Sequence, residues 1–167
     1  MRIIKYPDPR LRKKCAPVTE FNDELRALAT RMLELMKAAP GVGLAAPQVG
    51  VLLRMFVCNV TGEEGDDCVL VNPEIRDASG WKEAEEGCLS IPEVYVQVRR
   101  SLRCTVVAQD LDGNPIELRG EDLPARVWQH ETDHLNGVLI LDRMGPADEI
   151  ATRKKLRELE AQYAASG

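Results

Sequence analysis

The sequence predicts an α+β fold in which mixed or antiparallel strands pack around a central helix that carries an HExxH motif, with further helices towards both ends. Three observations support this prediction. Apolar residues recur at helical spacing in three segments, 22–41, 121–137 and 147–165. Short β-branched runs fill the region between the first two segments. Because helices and strands do not alternate along the chain, a parallel sheet built from βαβ units is not expected.

The first helix is predicted within residues 22–41. Asn22 or Asp23 is a suitable N-cap, and Pro40 followed by Gly41 is a typical stop signal. The predicted core-facing side of this helix is apolar and consists of Leu25, Leu28, Ala29, Met32, Leu35, Met36 and Ala39. Such a helix packs its apolar face against the rest of the core.

Four runs rich in β-branched residues are predicted as strands, and they read RMFVCNV, CVLVNPEI, VYVQVRR and LRCTVVAQDL. A Gly-rich stretch of small residues, GVGLAAPQVG, precedes them. The segment DLDGNPIEL carries a turn signal after the last run, which predicts a hairpin. Its Pro115 weakens the prediction of the strand that follows.

Two more helices are predicted in the last third of the chain. In the segment 121–137, Asp122 is the expected N-cap, Pro124 lies in the first turn and Gly137 follows the last turn. The final helix has a narrow apolar stripe with charges elsewhere, as expected of a surface helix docked along one edge of the fold. This stripe consists of Thr152, Leu156, Leu159 and Tyr163.

Composition limits the class of protein. A chain of 167 residues with 44% hydrophobic and 29% charged residues predicts one globular domain over residues 1–167. The five cysteines are odd in number and lack CxxC pairing, which argues against a disulfide framework or a zinc ribbon and favours a reducing compartment. Without a signal-peptide pattern or a long apolar run, a cytoplasmic location with no membrane contact is expected. The net charge of −5 disfavours a nucleic-acid surface, so no specific DNA binding is expected.

The pentapeptide HETDH at 130–134 contains both histidines of the chain. One helical turn apart, His130 and His134 share the face that carries Leu123, Val127 and Leu135, so they point inward. One interpretation is that the two histidines have only a structural role and form hydrogen bonds to the backbone within the core. However, two imidazoles at this spacing can bind one divalent ion, and Glu131 beside them can take a proton from a water molecule. The motif therefore predicts a metal site.

Two histidines do not hold a catalytic metal well, and a third histidine is lacking, so the third ligand must be Cys, Asp or Glu. Glu149 and Glu158 lie at a chain distance typical of zincin peptidases. Cys88 lies in the turn-like segment EEGCLSIP, where the backbone can approach another element. The other cysteines are expected to be inert small hydrophobes, and they are Cys15, Cys58, Cys68 and Cys104. A zincin-like metallopeptidase and a non-catalytic module with a structural metal remain alternatives.

Three motifs in this order resemble those of the peptide deformylase family: GVGLAAPQ at 41–48, EGCLSIP at 86–92 and QHETDHLNG at 129–137. The resemblance extends from YPDPRLRKKCAPV near the start to the terminal helix, and it is closest to the bacterial type with a C-terminal helix. It implies a metal-dependent hydrolase of linear amides. Such an enzyme removes the N-formyl group from the N-terminal formylmethionine of newly synthesised polypeptides and releases formate.

The resemblance also implies roles for particular residues. It implies three metal ligands, which are Cys88, His130 and His134. Glu131 is implied as general base and acid while a metal-activated water attacks the formyl carbon. Gln48 and the backbone N–H of Leu89 are implied to stabilise the developing oxyanion. Gly43 is implied to bind the main chain of the substrate.

The implied cofactor is one divalent metal ion per chain, Fe(II) in the cell, with Zn, Ni or Co as substitutes. The Cys/His ligand set by itself would favour zinc. The implied partners are N-formylmethionyl peptides of nascent chains, and the ribosome through the C-terminal helix.

Selection for methionine requires an apolar slot beside the metal. The GVGLAAPQ motif is expected to contribute Val42 and Leu44 to this slot, and the HExxH helix is expected to contribute Leu123 and Val127. Asp133 lies on the opposite face of the HExxH helix, where it is expected to pair with Arg100 or Arg126.

Overall fold

Three α-helices and two antiparallel sheets are formed by residues 1–166, which the computed structural model describes. The helices are α1 (Asp23–Ala38), α2 (Leu123–Leu135) and α3 (Pro146–Ser166). The strands are β1 (Gly43–Ala45), β2 (Met55–Cys58), β3 (Cys68–Ser79), β4 (Lys82–Cys88), β5 (Ile91–Arg100), β6 (Arg103–Gln109) and β7 (Pro115–Glu121). Short 3₁₀ helices lie in the connections, at Pro9–Arg12, Ala46–Val49 and Ile140–Asp142.

The larger sheet has the strand order β1-β2-β3-β6-β7, and β4 and β5 form a separate two-stranded sheet. Neighbouring strands are antiparallel in both sheets. The chain leaves the larger sheet after β3, forms the β4–β5 hairpin and returns as β6 beside β3. The predicted α+β fold is confirmed. The hairpin around Asp-Gly-Asn-Pro is also confirmed, with Pro115 as the first residue of β7, where a strand tolerates proline.

Helix α1 begins as predicted and buries most of its predicted core-facing side, but Ala39 lies beyond its last residue and is exposed. The Asn22 side chain accepts a hydrogen bond from the Leu25 N–H at 3.0 Å and caps the helix. The helix ends at Ala38, two residues before Pro40. Its buried residues, Leu25, Ala29, Met32 and Met36, pack in one cluster with Leu44, Met55 and Val57 of the first two strands. This packing fixes β1 at the edge of the sheet.

Helix α2 lies across the larger sheet and contacts β1, β2, β3, β6 and β7. Its buried side chains Trp128 and Leu135 belong to the same core cluster as Phe56 of β2. Asp122 occupies the predicted N-cap position, but its side chain does not cap the helix. This residue precedes the helix with φ of 60° and makes no capping bond. Its carboxylate accepts instead from Lys82 Nζ at 2.8 Å.

The sequence does not predict β4, because Glu, Lys and Gly are poor strand formers. In the structure, residues 82–87 pair one for one with residues 95–100 of β5. The turn expected around Cys88 follows that residue, at Leu89 and Ser90. Alternate residues of β5 are buried and support the hairpin, among them Val94, Val96 and Val98.

Helix α3 packs against β5. Thr152 and Leu159 of the predicted stripe are buried, and Leu156 is partly buried. Tyr163 is 40% exposed, so the stripe is shorter than predicted. Among residues 1–166, none of the helices has the length and apolar character needed to cross a membrane.

Candidate metal centre

Two elements bring three potential metal ligands together. Cys88 is the last residue of β4, and His130 and His134 lie one turn apart on α2. Their ligand atoms all lie within 4.8 Å of one another, and Cys88 Sγ is 3.5 Å from His134 Nε2. In the described part of the chain, this is the one convergent group of three or more Cys, His, Asp or Glu side chains.

The spacing of these atoms fits a divalent ion. Around a tetrahedral ion, a thiolate sulfur at about 2.3 Å and imidazole nitrogens at about 2.0–2.1 Å lie about 3.3–3.6 Å from each other. The distance between Cys88 Sγ and His134 Nε2 falls in this range. One thiolate and two imidazoles leave a further coordination position for water or substrate, as catalytic sites require.

Glu86 orients His130. Its Oε1 lies 2.8 Å from His130 Nδ1, which leaves Nε2 of the same ring for a metal. Arg100 donates two hydrogen bonds to the Glu86 carboxylate, at 2.6 and 3.0 Å, and Arg126 donates a third at 2.6 Å. The side chains of Glu86 and Arg100 are only 6% and 3% exposed. The His130 ring is therefore held by a buried ion-pair network.

The network continues to Asp133. Arg100 Nη1 donates to Asp133 Oδ2 at 2.9 Å, and Arg143 donates to both carboxylate oxygens at 2.5 and 2.8 Å. The expected pairing of Asp133 with Arg100 is confirmed, whereas Arg126 binds Glu86. Asp133 thereby anchors the face of α2 that points away from the ligands.

Burial and charge set the protonation of the network. Burial would raise the pKa of Glu86, but hydrogen bonds from His130 and Arg100 outweigh it and lower the pKa to about 2. Burial lowers the pKa of His130, but the Glu131 charge and hydrogen bonds with Cys88 and Glu86 raise it well above its ordinary value. Burial and the neighbouring His130 lower the pKa of His134 well below its ordinary value. His134 is therefore neutral, whereas His130 would have to release a proton to bind a metal ion, because a ligating imidazole is neutral.

Glu131 lies beside the ligands without joining them. Its Oε2 is 4.0 Å from His130 Nε2, and its buried Oε1 has no hydrogen-bond partner among the described residues. Burial raises the pKa of Glu131 to about 7. The Glu131 side chain can lie here because residue 43 is glycine. A Cβ at Gly43 would lie 2.6 Å from Glu131 Oε2. An unpartnered carboxylate with this pKa is suited to exchange protons at neutral pH.

Gln48 is held on three sides. Its Oε1 accepts from the Ala45 N–H at 2.9 Å, and its Nε2 donates to Ser90 Oγ at 3.1 Å. The same Nε2 lies 3.6 Å from Cys88 Sγ. Gln48 and Ser90 are almost completely buried, with 1% and 0% exposure. The amide N–H₂ group is therefore fixed beside the potential metal ligands.

A cavity of about 850 Å³ opens onto this centre. Nearly all the residues expected in the site contribute to its wall, namely Val42, Gly43, Gln48, Cys88, Leu89, Leu123, Val127, His130 and Glu131. Leu44 does not line it, which corrects the expectation for the methionine slot. Successive residues of a strand face opposite sides, so Leu44 points away from Gly43 into the α1 core, where it is 0% exposed.

Sequence reasoning missed Glu86, Arg100 and Ser90 as parts of the centre. A signal for Glu86 was available, because residues two apart on a strand share a face and Cys88 follows it by two. The position of Arg100 depends on the β4–β5 pairing, which the sequence does not predict. Ser90 follows Cys88 in the tight turn, where its side-chain direction cannot be read from periodicity.

Comparisons with known proteins identify the family. A family model described as polypeptide deformylase matches residues 1–149. A peptide deformylase from Acidobacterium capsulatum is 46% identical over 160 residues, which cover 95% of this chain and 94% of that protein. A peptide deformylase from Thermotoga neapolitana is 48% identical over 159 residues, covering 95% of each.

Solved structures agree with the sequence comparison. A peptide deformylase from Plasmodium falciparum superposes with a TM-score of 0.95 at 36% identity, covering 98% of both chains. A peptide deformylase from Legionella pneumophila superposes with a TM-score of 0.91 at 45% identity, covering 98% of this chain and 96% of that one. The chain therefore belongs to the polypeptide deformylase family and is a metal-dependent hydrolase that removes the N-formyl group from nascent peptides.

Proposed function

We propose that Cys88, His130 and His134 hold the catalytic metal ion of this deformylase. The observation that carries the proposal is the convergence of their ligand atoms beside a buried carboxylate without a partner. The zincin alternative requires a ligand from Glu149 or Glu158. Neither belongs to the convergent group, and Glu158 lies near Lys155 instead.

The donor set of one thiolate and two imidazoles suits several first-row metals. We propose Fe(II) in the cell, with Zn, Ni or Co as functional substitutes, in line with the family resemblance. When bound, such an ion lowers the pKa of a water molecule to about 7 and so makes hydroxide available at neutral pH.

Glu131 is the proposed proton carrier. It takes the proton of the attacking water and later gives it to the leaving amine nitrogen, because an amide nitrogen departs readily only when protonated. The freedom of its Oε1 supports this role, since no hydrogen bond must break before it accepts a proton. Its burial, with only 4% exposure, limits its contact with bulk water.

The formyl oxygen gains negative charge during the attack. We assign its stabilisation to the Gln48 amide and the backbone N–H of Leu89, and one such donor typically contributes about 2.7–4 kcal/mol. Support comes from the fixed direction of Gln48 Nε2 and the place of Leu89 in the cavity wall. Gly43, which also lines the cavity, would bind the peptide main chain.

The methionine side chain is proposed to contact Val42, Leu123 and Val127. Val42 and Leu123 are each 46% exposed at the cavity, so they have apolar surface to cover. Burial of this surface by an apolar side chain would favour methionine over polar residues.

The wider setting is also proposed. Because the substrates are nascent chains, we place the enzyme in the cytoplasm, and we propose that α3 contacts the ribosome. Three basic residues of α3 are exposed and available for phosphate groups, namely Arg153, Lys154 and Arg157. Residues 1–167 are proposed to act as one domain, since α2 contacts all five strands of the larger sheet and α3 packs on the β4–β5 hairpin.

The test is anaerobic formate release from formyl-Met-Ala-Ser by iron-loaded protein, with metal content measured in parallel. Cys88→Ser should lose metal and activity, because a hydroxyl is a poor substitute for a thiolate. Glu149→Gln and Glu158→Gln are matched controls that should retain both. Metal retention by Cys88→Ser together with metal loss in either control would favour the zincin arrangement.

A further inference from the structure

The fold brings two other cysteines together that the sequence leaves 10 positions apart. Cys58 ends β2 and Cys68 begins β3, and the two are direct partners in the antiparallel ladder. Such partners have Cα atoms about 4.5–5.5 Å apart and side chains on the same face of the sheet. Disulfides span Cα separations of about 4.4–6.8 Å. The two thiols are therefore placed to bond without a change of strand register.

The two thiols differ in access. Cys58 is only 2% exposed and packs against the core. Cys68 is partly exposed and lines a surface cavity of about 430 Å³ together with Asp67 and Asp110. A small reagent can thus reach the sulfur of Cys68, while Cys58 is placed to react with Cys68.

The two thiols also differ in acidity. A hydrogen bond from Cys58 lowers the pKa of Cys68 to about 7, although burial and the charges of Asp66 and Asp67 oppose this. The same hydrogen bond and burial raise the pKa of Cys58. The directions of these two pKa shifts favour thiolate character, which nucleophilic attack requires, on Cys68, the more exposed of the two sulfurs.

We propose that Cys58 and Cys68 form a reversible disulfide when the protein meets a small neutral hydroperoxide. The Cys68 thiolate attacks the O–O bond and becomes a sulfenic acid, and the departing oxygen leaves as water or alcohol after protonation. The Cys58 sulfur then attacks the sulfenic sulfur, loses its proton and displaces water. The two sulfurs lose two electrons in total and the peroxide gains them, and a dithiol reductant reverses the reaction.

Charge around the surface cavity favours a neutral oxidant. Asp67, Asp110 and Asp112 lie at its wall together with Arg26. Arg26 pairs with Asp112 and Lys37 pairs with Asp67, which leaves a net negative charge that disfavours an anionic reagent such as glutathione disulfide. On its other side, Cys58 pairs with Gly43 of β1, which lines the catalytic cavity. The cysteine pair therefore lies close to that cavity, but it includes none of the proposed metal ligands. The proposal is therefore independent of the residues assigned to the metal.

The test uses nickel-loaded protein, since a redox-active iron would itself generate oxidants. The protein is treated with a few equivalents of hydrogen peroxide, alkylated, and analysed by intact mass and peptide mapping. We expect a loss of two hydrogen atoms per chain and a cross-link between the peptides of Cys58 and Cys68 that dithiothreitol reverses. Cys104→Ser, another buried thiol, is the matched control and should still form the cross-link.

Two variants separate the roles of the thiols. Cys58→Ser should stop at a sulfenic acid on Cys68 that dimedone traps. Cys68→Ser, at the partly exposed position, should leave Cys58 unreactive towards peroxide and dimedone. The proposal is overturned if Cys58 and Cys68 stay reduced under peroxide, whether or not other thiols react, or if Cys68 cross-links to a different cysteine.

Discussion

The Glu86 carboxylate and the His130 imidazole are joined by a 2.8 Å contact between Oε1 and Nδ1. This contact directs His130 Nε2 towards Cys88 and His134, and Arg100 fixes the carboxylate from the other side. The position of one proposed metal ligand thus depends on a charge network that runs from β4 through β5 to α2.

Replacing Glu86 by Gln should weaken metal binding and activity by about 10- to 100-fold, the usual cost of losing the partner that orients a ligating histidine. The amide keeps the shape of the side chain but removes its charge, so Arg100 loses one of its two carboxylate partners in a buried site. Metal dissociation measured by competition with a chelator checks this. The control is Glu83→Gln, an exposed position on the same strand. Equal metal affinity in both variants would contradict the orienting role.

Replacing Ser90 by Ala should lower kcat by about tenfold with little change in KM, because Gln48 Nε2 loses the acceptor that fixes its direction. Ser90 does not itself contact the substrate in this assignment. Ser90→Ala should therefore have no effect on kcat when Gln48 is already replaced by Ala. A double-mutant cycle of kcat values measures this. Ser101→Ala is the control, since Ser101 bonds Gln129 through its backbone. Additive losses in the cycle would show that Ser90 acts independently of Gln48.

Replacing Glu131 by Gln should leave metal content unchanged and reduce kcat by at least about 100-fold, because an amide cannot accept the proton of water. Metal content by mass spectrometry and formate release on the same sample separate the two effects. Glu149→Gln is the matched control and should keep both properties. Substantial turnover by Glu131→Gln would require a different proton acceptor.

Much of this architecture is predictable because helix signals are local. The spacing of apolar residues and the Asn22 cap predict α1, and the HETDH spacing alone places two potential ligands on one face of α2. The roles assigned to Cys88, Gln48 and Leu89 come from family motifs rather than from periodicity. A resemblance of that kind names residues, but it does not give their contacts.

The features that escaped prediction depend on pairing between distant segments. Strand β4 has weak local propensity and exists because β5 pairs with it. The Glu86–Arg100 contact and the Cys58–Cys68 pair both follow from strand register, which a single sequence does not specify. Leu44 was misplaced for a related reason, because the short β1 segment is too brief to show which residues alternate towards the cavity.

A last prediction concerns the contact between the N-terminal segment and α3. The Tyr6 hydroxyl donates to Glu160 Oε1 at 2.7 Å, and burial together with this hydrogen bond raises the pKa of Tyr6 to about 12. Because the folded pKa lies above the unfolded value of about 10, the neutral hydroxyl stabilises the fold. This contribution is fully present below about pH 10 and is lost as the pH rises towards 12.

Tyr6→Phe should therefore lower the free energy of unfolding by about 1 kcal/mol at pH 8. A buried hydrogen bond to a charged group would contribute more, but this contact is partly exposed to solvent. The difference from the parent protein should shrink steadily above about pH 10, because the parent then loses the same hydrogen bond. Urea unfolding of both proteins at several pH values measures this difference. Tyr163→Phe, on α3 with Glu160, controls for general effects of removing a hydroxyl. The difference in free energy of unfolding could instead stay constant up to the most alkaline pH at which the protein remains folded. In that case ionisation of Tyr6 would have no effect on stability, and Tyr6 would act through packing.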